Sequence, residues 1–78
     1  MNIYRYSFFA ICPSTNEQVV YDLQIKAEFM IAVEMIIAEC KFEEPTYHEI
    51  IADQLIKRLG GRQVLIAQHN SVKIETRR

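Results

Sequence analysis

Only two glycines and two prolines stand in 78 residues. With so few chain breakers and no repeat, the sequence has no linker or low-complexity stretch, and an apolar content of 50% excludes a disordered tail. Cysteine is as scarce. Cys12 and Cys40 are too few for a disulfide framework, so two reduced, packed thiols in a cytoplasmic protein are expected. Long hydrophobic runs are missing too: Phe29 to Val33 ends at Glu34, far short of the ~18 residues a membrane span requires. The N-terminus shows no basic segment, apolar stretch and small-residue cleavage site in succession, so no secretory leader is expected.

What is present fits one domain, residues 1–78. A fold of 9.2 kDa exposes roughly 4,900 Å² and buries a little over 60% of the surface of its unfolded chain. That supports one thin core and no deep, enclosed cavity.

Residues 2–12 and 17–26 are rich in aromatic and β-branched types and flank Pro13-Ser14-Thr15-Asn16, a segment with turn chemistry at every position. Pairing Cys12 with Glu17 sets Ala10 opposite Val19, Phe8 opposite Tyr21, Tyr6 opposite Leu23 and Tyr4 opposite Ile25. All four pairs fall on one face, and a one-residue slip would put Val20 and Asp22 there instead. The other face then carries Ile3, Arg5, Ser7, Phe9 and Ile11 against Val20, Asp22, Gln24 and Lys26.

From Ala27 to Cys40 the apolar period turns helical, with Phe29, Val33, Ile36, Ile37 and Cys40 as a core stripe. Ile31, Met35 and Ala38 form a second, narrower stripe. After a break at 41–45, Thr46-x-x-Glu49 reads as a capping box opening a second helix that runs to Leu59. Its core face is Ile51, Ala52, Leu55, Ile56 and Leu59, with His48 at the edge, and Gly60-Gly61 ends it. Residues 62–77 alternate again. A turn at His69-Asn70-Ser71 folds them into a second hairpin, with Leu65, Ala67, Val72 and Ile74 on one face and Val64 and Ile66 on the other. The order ββααββ predicts an α+β domain, an antiparallel sheet with both helices on one face.

The net charge of -1 conceals a separation: residues 1–26 sum to zero, 27–56 to -6 and 57–78 to +5. A basic end suits phosphate or an acidic partner, but its charges form no run, and some answer the dipole of the second helix.

No catalytic set emerges. Cys12, Cys40, His48 and His69 show no metal-ligand spacing, packed thiols and surface histidines account for them, and neither metal nor cofactor is expected. Cys40 lies on the core stripe, where a thiol behaves as a small hydrophobe rather than a nucleophile. Glu43, Glu44, His48 and Glu49 decorate a helix start more readily than they form an acid–base pair. Gly60-Gly61 follows a helix and precedes a strand, the reverse of an anion-binding loop. The segment 45–61 resembles the first helix of helix-turn-helix proteins, yet the strand-like RQVLIA stands where a recognition helix belongs. A base-stacking sheet surface is conceivable through Phe9, Arg5 and Lys73, but the glycine-aromatic signatures of common RNA modules are missing.

The ββααββ order resembles that of the tunnelling-fold subunits of pterin-type enzymes, which oligomerise through their sheets. This chain is shorter and carries none of their catalytic motifs, so the resemblance implies an architecture and a remote alternative as an oligomeric enzyme subunit.

The informative residues are hydrophobes with no interior to enter. Ile3, Phe9, Ile11, Val20, Val64 and Ile66, interleaved with Arg5, Asp22, Gln24 and Lys73, populate the sheet face away from the helices. Ile31 and Met35 add an apolar stripe on helix one, and Ile50 sits off the core face of helix two. Monomers seldom expose large contiguous apolar patches. The sequence therefore predicts a small non-enzymatic interaction module, an adaptor or inhibitor, that binds another protein or itself through Ile3, Arg5, Phe9, Ile11, Val20, Ile31, Met35, Val64 and Ile66. The alternative is nucleic-acid binding through Lys57, Arg58, Arg62, Lys73 and Arg77.

Overall fold

A computed structural model describes residues 1–78. Strands β1 (Asn2–Ile11) and β2 (Gln18–Ala27) precede helices α1 (Val33–Glu39) and α2 (His48–Leu59), and strands β3 (Arg62–His69) and β4 (Val72–Arg77) close the chain. The strands pair antiparallel in the order β1-β2-β3-β4 within one sheet. The expected ββααββ architecture is the one the chain adopts; the first hairpin keeps its expected register, and the second keeps Leu65, Ala67, Val72 and Ile74 on one face as expected.

In the first hairpin Phe8 faces Tyr21 and Tyr4 faces Ile25. The Cys12 amide donates to the Glu17 carbonyl at 2.9 Å, and Asn16 takes the left-handed conformation that ends the loop (φ 60°). In the second, Ala67 faces Ile74 and Asn70 supplies the positive φ of 56° that a two-residue connection needs. One sheet face is thereby mostly apolar, with Gln63, His69 and Thr76 as its polar members. Phe8, Ala10, Val19, Tyr21, Leu23, Ile25, Leu65 and Ala67 are buried on it, together with Ile51, Ala52, Leu55 and Leu59 of α2. The Phe8 ring stacks between those of Tyr21 and Phe42, with centroids 5.3 and 5.9 Å away. Truncating a fully buried residue such as Leu55 to alanine costs about 2–5 kcal/mol.

The accessible surface is 5301 Å², somewhat above the roughly 4,900 Å² expected for the mass. The molecule is elongated, 37 × 23 × 17 Å, and its sheet is covered on one side only.

The first helix is shorter than its period suggested. β2 continues to Ala27, because Asn2 pairs with Ala27 and Arg62 with Lys26, and these ladders claim the residues before a helix can start. Residues 28–32 then cross to the helical layer without helical structure. Within that stretch Ile31 is buried, its amide donating to the Tyr4 hydroxyl at 3.0 Å. Ile31 is therefore a core residue, not part of an exposed helical stripe. Of the five residues expected to line the core, Ile36 and Cys40 are buried, whereas Phe29, Val33 and Ile37 are exposed.

The capping box does not form. Tyr47 is the N-cap of α2 and makes no side-chain cap, and the Thr46 hydroxyl donates to the Glu44 carbonyl instead. The Glu49 carboxylate is engaged elsewhere, accepting from the Thr76 hydroxyl and the Arg78 guanidinium. At the other end Gly60 and Gly61 adopt φ of 71° and 73°. A Cβ on Gly61 would lie 2.8 Å from the Lys26 carbonyl, so the turn into β3 also requires its close approach to β2. Gln63 completes the seam. This buried side chain donates to the Leu55 and Gly60 carbonyls at 3.0 and 2.8 Å, giving the Gly60 acceptor at the helix end a partner and adding a second donor to Leu55.

Candidate functional site: the open sheet face

Because side chains alternate along a strand, the registers that fix the core also fix the composition of the opposite face. Its side chains stand in rows across the strands. At one end lie Ile3, Lys26 and Arg62; next comes a basic row of Arg5, Gln24, Val64 and Arg77. An acidic row follows, Ser7, Asp22, Ile66 and Glu75, and beyond it Phe9 pairs with Val20 and Gln68 with Lys73. Ile11, opposite Gln18, closes the far end.

The apolar members are unevenly sheltered. Ile3, Phe9 and Val20 are exposed, Phe9 at 58% and Val20 at 62%, whereas Ile11, Val64 and Ile66 are half-buried by their neighbours. The twist of the sheet leaves a shallow depression of about 450 Å³ over the two central rows, lined by Arg5, Asp22, Val64, Ile66, Glu75 and Arg77 among others. Within it the Ser7 hydroxyl donates to Asp22, and Arg77 pairs with Glu75 at 2.6 Å. Arg5, Lys26 and Arg62 have no carboxylate within 4.0 Å. Lys26 and Arg62 moreover stand directly opposite each other, an arrangement of like charges that destabilises an isolated sheet.

Thus Ile3, Arg5, Phe9, Ile11, Val20, Val64 and Ile66 are brought onto one continuous surface. Met35 is half-exposed on α1, away from it, and Ile31 is inside the core. The basic residues of the C-terminal third are divided. Arg62, Arg77 and, beside the β3–β4 turn, Lys73 lie on the open face, while Lys57 and Arg58 are exposed on α2. Arg58 pairs with Glu39 at 3.2 Å, and Arg78 holds both Glu49 and Asp53 of α2 at 3.0 and 2.9 Å. Two of the six basic side chains of residues 57–78, Arg58 and Arg78, are therefore paired with the acidic helical segment, and the expected basic set does not form one patch.

A second cluster escaped the sequence reading. Cys12, from the end of β1, His48, from the start of α2, and His69, from the end of β3, line one cavity of about 360 Å³. The two imidazoles are 5.6 Å apart, each against the edge of Tyr21 at 5.3 and 6.2 Å. His48 is 6% exposed, contrary to the expected surface histidine, and both its ring nitrogens lack hydrogen-bond partners, as does Nε2 of His69. Burial and the neighbouring His69 hold His48 below its ordinary pKa, so its neutral form is favoured. The Cys12 thiol is lowered by hydrogen bonds from Thr15 and Ser14, backbone first. Cys40 is elsewhere, and burial pushes its thiol up to about 12. No set of three or more His, Cys, Asp or Glu side chains converges as metal ligands would. Spacing could not reveal this cluster, since its members are 36 and 21 residues apart in the chain and meet only through the sheet registers and the docking of α2.

No helix is long and apolar enough to cross a membrane. No protein-family model, curated protein or solved structure gives a significant match to this chain.

Proposed function

We propose that this protein is a small non-enzymatic interaction module, an adaptor or inhibitor, that binds a protein surface through the open face of its sheet. One observation carries the reading: Ile3, Phe9 and Val20 are exposed on a continuous sheet face that no element of the chain covers. Burying such residues contributes roughly 25 cal/mol per Å² of apolar area, and the interleaved charges confer register and partner choice. Two free, buried cysteines support a cytoplasmic setting. The test is affinity capture with wild-type, Phe9→Asp and Ile66→Asp protein, followed by direct binding to the purified captured polypeptide. Binding should be lost in both variants and kept in Met35→Asp, on α1. Retention in the open-face variants refutes the reading.

A second reading has one observation in its favour. Arg5, Lys26, Arg62 and Arg77 gather in two adjacent rows at one end of the face. If they grip a nucleic-acid backbone, log affinity falls linearly with log salt with a slope of about −0.7 per single-strand phosphate neutralised, and Arg62→Ala reduces that slope.

A further inference from the structure

Resting on the reading of the open face as the binding surface, we infer that its partner is a second copy of this chain, turned about a twofold axis that runs across the strands between the basic and acidic rows. Two in-plane twofold axes can stack a sheet face on itself. An axis along the strands lays each row on its own copy, setting Arg77 and Arg5 in the basic row of the partner and Glu75 and Asp22 in its acidic row. An axis across the strands inverts the order of rows. Arg77 then lies over the partner copy's residue 75 and Gln24 over its residue 22, while Val64 meets 66 and Ile3 meets 9. Arg77 and residue 75 make an opposite-charge contact that the twofold axis repeats, the 64–66 and 3–9 contacts are apolar, and Arg5 meets residue 7 rather than another arginine, so the pattern is self-complementary as an isologous contact must be. At the ends of the overlap Lys26 lies over the partner copy's residue 20 and Arg62 over its residue 68.

Four strands about 4.8 Å apart and about 27 Å long give a footprint of about 500 Å² per copy, or about 1,000 Å² in all. That is the lower bound for a specific interface and fits a dimer that dissociates in the micromolar range. Twisted sheets pack face to face at about 10 Å with strands some 30° apart, which the row matching tolerates.

Sedimentation velocity across a wide concentration range tests this, with circular dichroism confirming that each variant is folded. The wild type should form dimers. Glu75→Arg and Arg77→Glu should each weaken self-association about tenfold or more, because each sets like charges over like. Mixing the two variants should restore a dimer, since the reversed charge in one meets its opposite in the other. Mixing Val64→Cys with Ile66→Cys under mild oxidation should cross-link the two different variants in preference to either with itself; self-cross-linking instead would establish the other axis and overturn the arrangement. A wild type that stays monomeric at every concentration overturns the dimer while leaving the face for a foreign protein. A dimer indifferent to open-face substitutions overturns both.

Discussion

The Tyr4 hydroxyl accepts a hydrogen bond from the Ile31 amide at 3.0 Å, joining the outermost strand to the segment that leads into α1. This contact gives a partner to an amide that the missing helical turn leaves free, and it accompanies the burial of Ile31 in the core. Tyr4→Phe removes this acceptor, and with it the exposed bond from the Asn2 side chain at 3.1 Å. It should cost about 0.5–1.5 kcal/mol, and amide hydrogen exchange should accelerate at Ile31 before it does in β2. Unchanged exchange at Ile31 would show that the bond does not hold the segment.

Gln63 makes a similar bridge at the other end of the helical layer. Gln63→Met keeps the bulk and loses both donors, taking the side-chain donor from the Gly60 carbonyl and leaving the Leu55 carbonyl with its helical partner alone. The cost should be about 1–3 kcal/mol, and since each kcal/mol shifts Tm by about 4–8 °C in a domain this size, a thermal melt resolves it.

His48 predicts a pH dependence. Its folded pKa is depressed by burial and by His69, with Glu49 opposing, the Leu65 carbonyl nearby and Arg78 adding to the depression. The unfolded chain, titrating near about 6.5, then binds more protons than the folded one. The stability this group confers is complete above that value and is lost as the pH falls from it toward the lower folded pKa. Urea unfolding between pH 8 and pH 5 should show that decline. His48→Phe, which removes two unpartnered nitrogens, should flatten it and leave stability at pH 7 equal or higher. A decline of the same size in the variant would assign it to other groups.

The two thiols should react in a fixed order. Thiolate is the nucleophile, and hydrogen bonds lower Cys12 while burial holds Cys40 near about 12. Iodoacetamide should label Cys12 in the native protein and Cys40 only after denaturant is added, read by peptide mass mapping. Equal native labelling would contradict the environments described.

The sheet was legible in the sequence because its signal is local and doubly determined. Alternation in residues 2–26 and the turn at 13–16 agree on one register, which assigns Phe9 and Val20 to the uncovered side, and alternation in the second hairpin does the same for Ile66. The helical layer was less legible because its decisive contacts span long stretches of chain. Nothing near Ile31 announces that a hydroxyl 27 residues earlier will bind its amide, so its helical period misled. Glu49 stands where a capping box wants it, but Arg78, 29 residues on, takes its carboxylate. The same Arg78 shows how a basic terminus can be tied inward: both its partners, Glu49 and Asp53, belong to α2. The Cys12–His48–His69 cavity was illegible for the same reason, being assembled from three separate elements.

Substitution on the open face should cost little stability. Phe9→Asp removes an exposed ring and introduces a poor strand former, an effect of under about 1 kcal/mol. Loss of binding in that variant would thus report on the surface rather than on unfolding.

The most direct test of the central claim is an amide chemical-shift map of the labelled protein titrated with its binding polypeptide, its own unlabelled chain included. Shifts centred on Ile3, Phe9, Val20, Val64 and Ile66, with α1 and α2 unmoved, are the result predicted. Shifts centred on α2 or on the Cys12–His48–His69 cavity, with the open face silent, would contradict it.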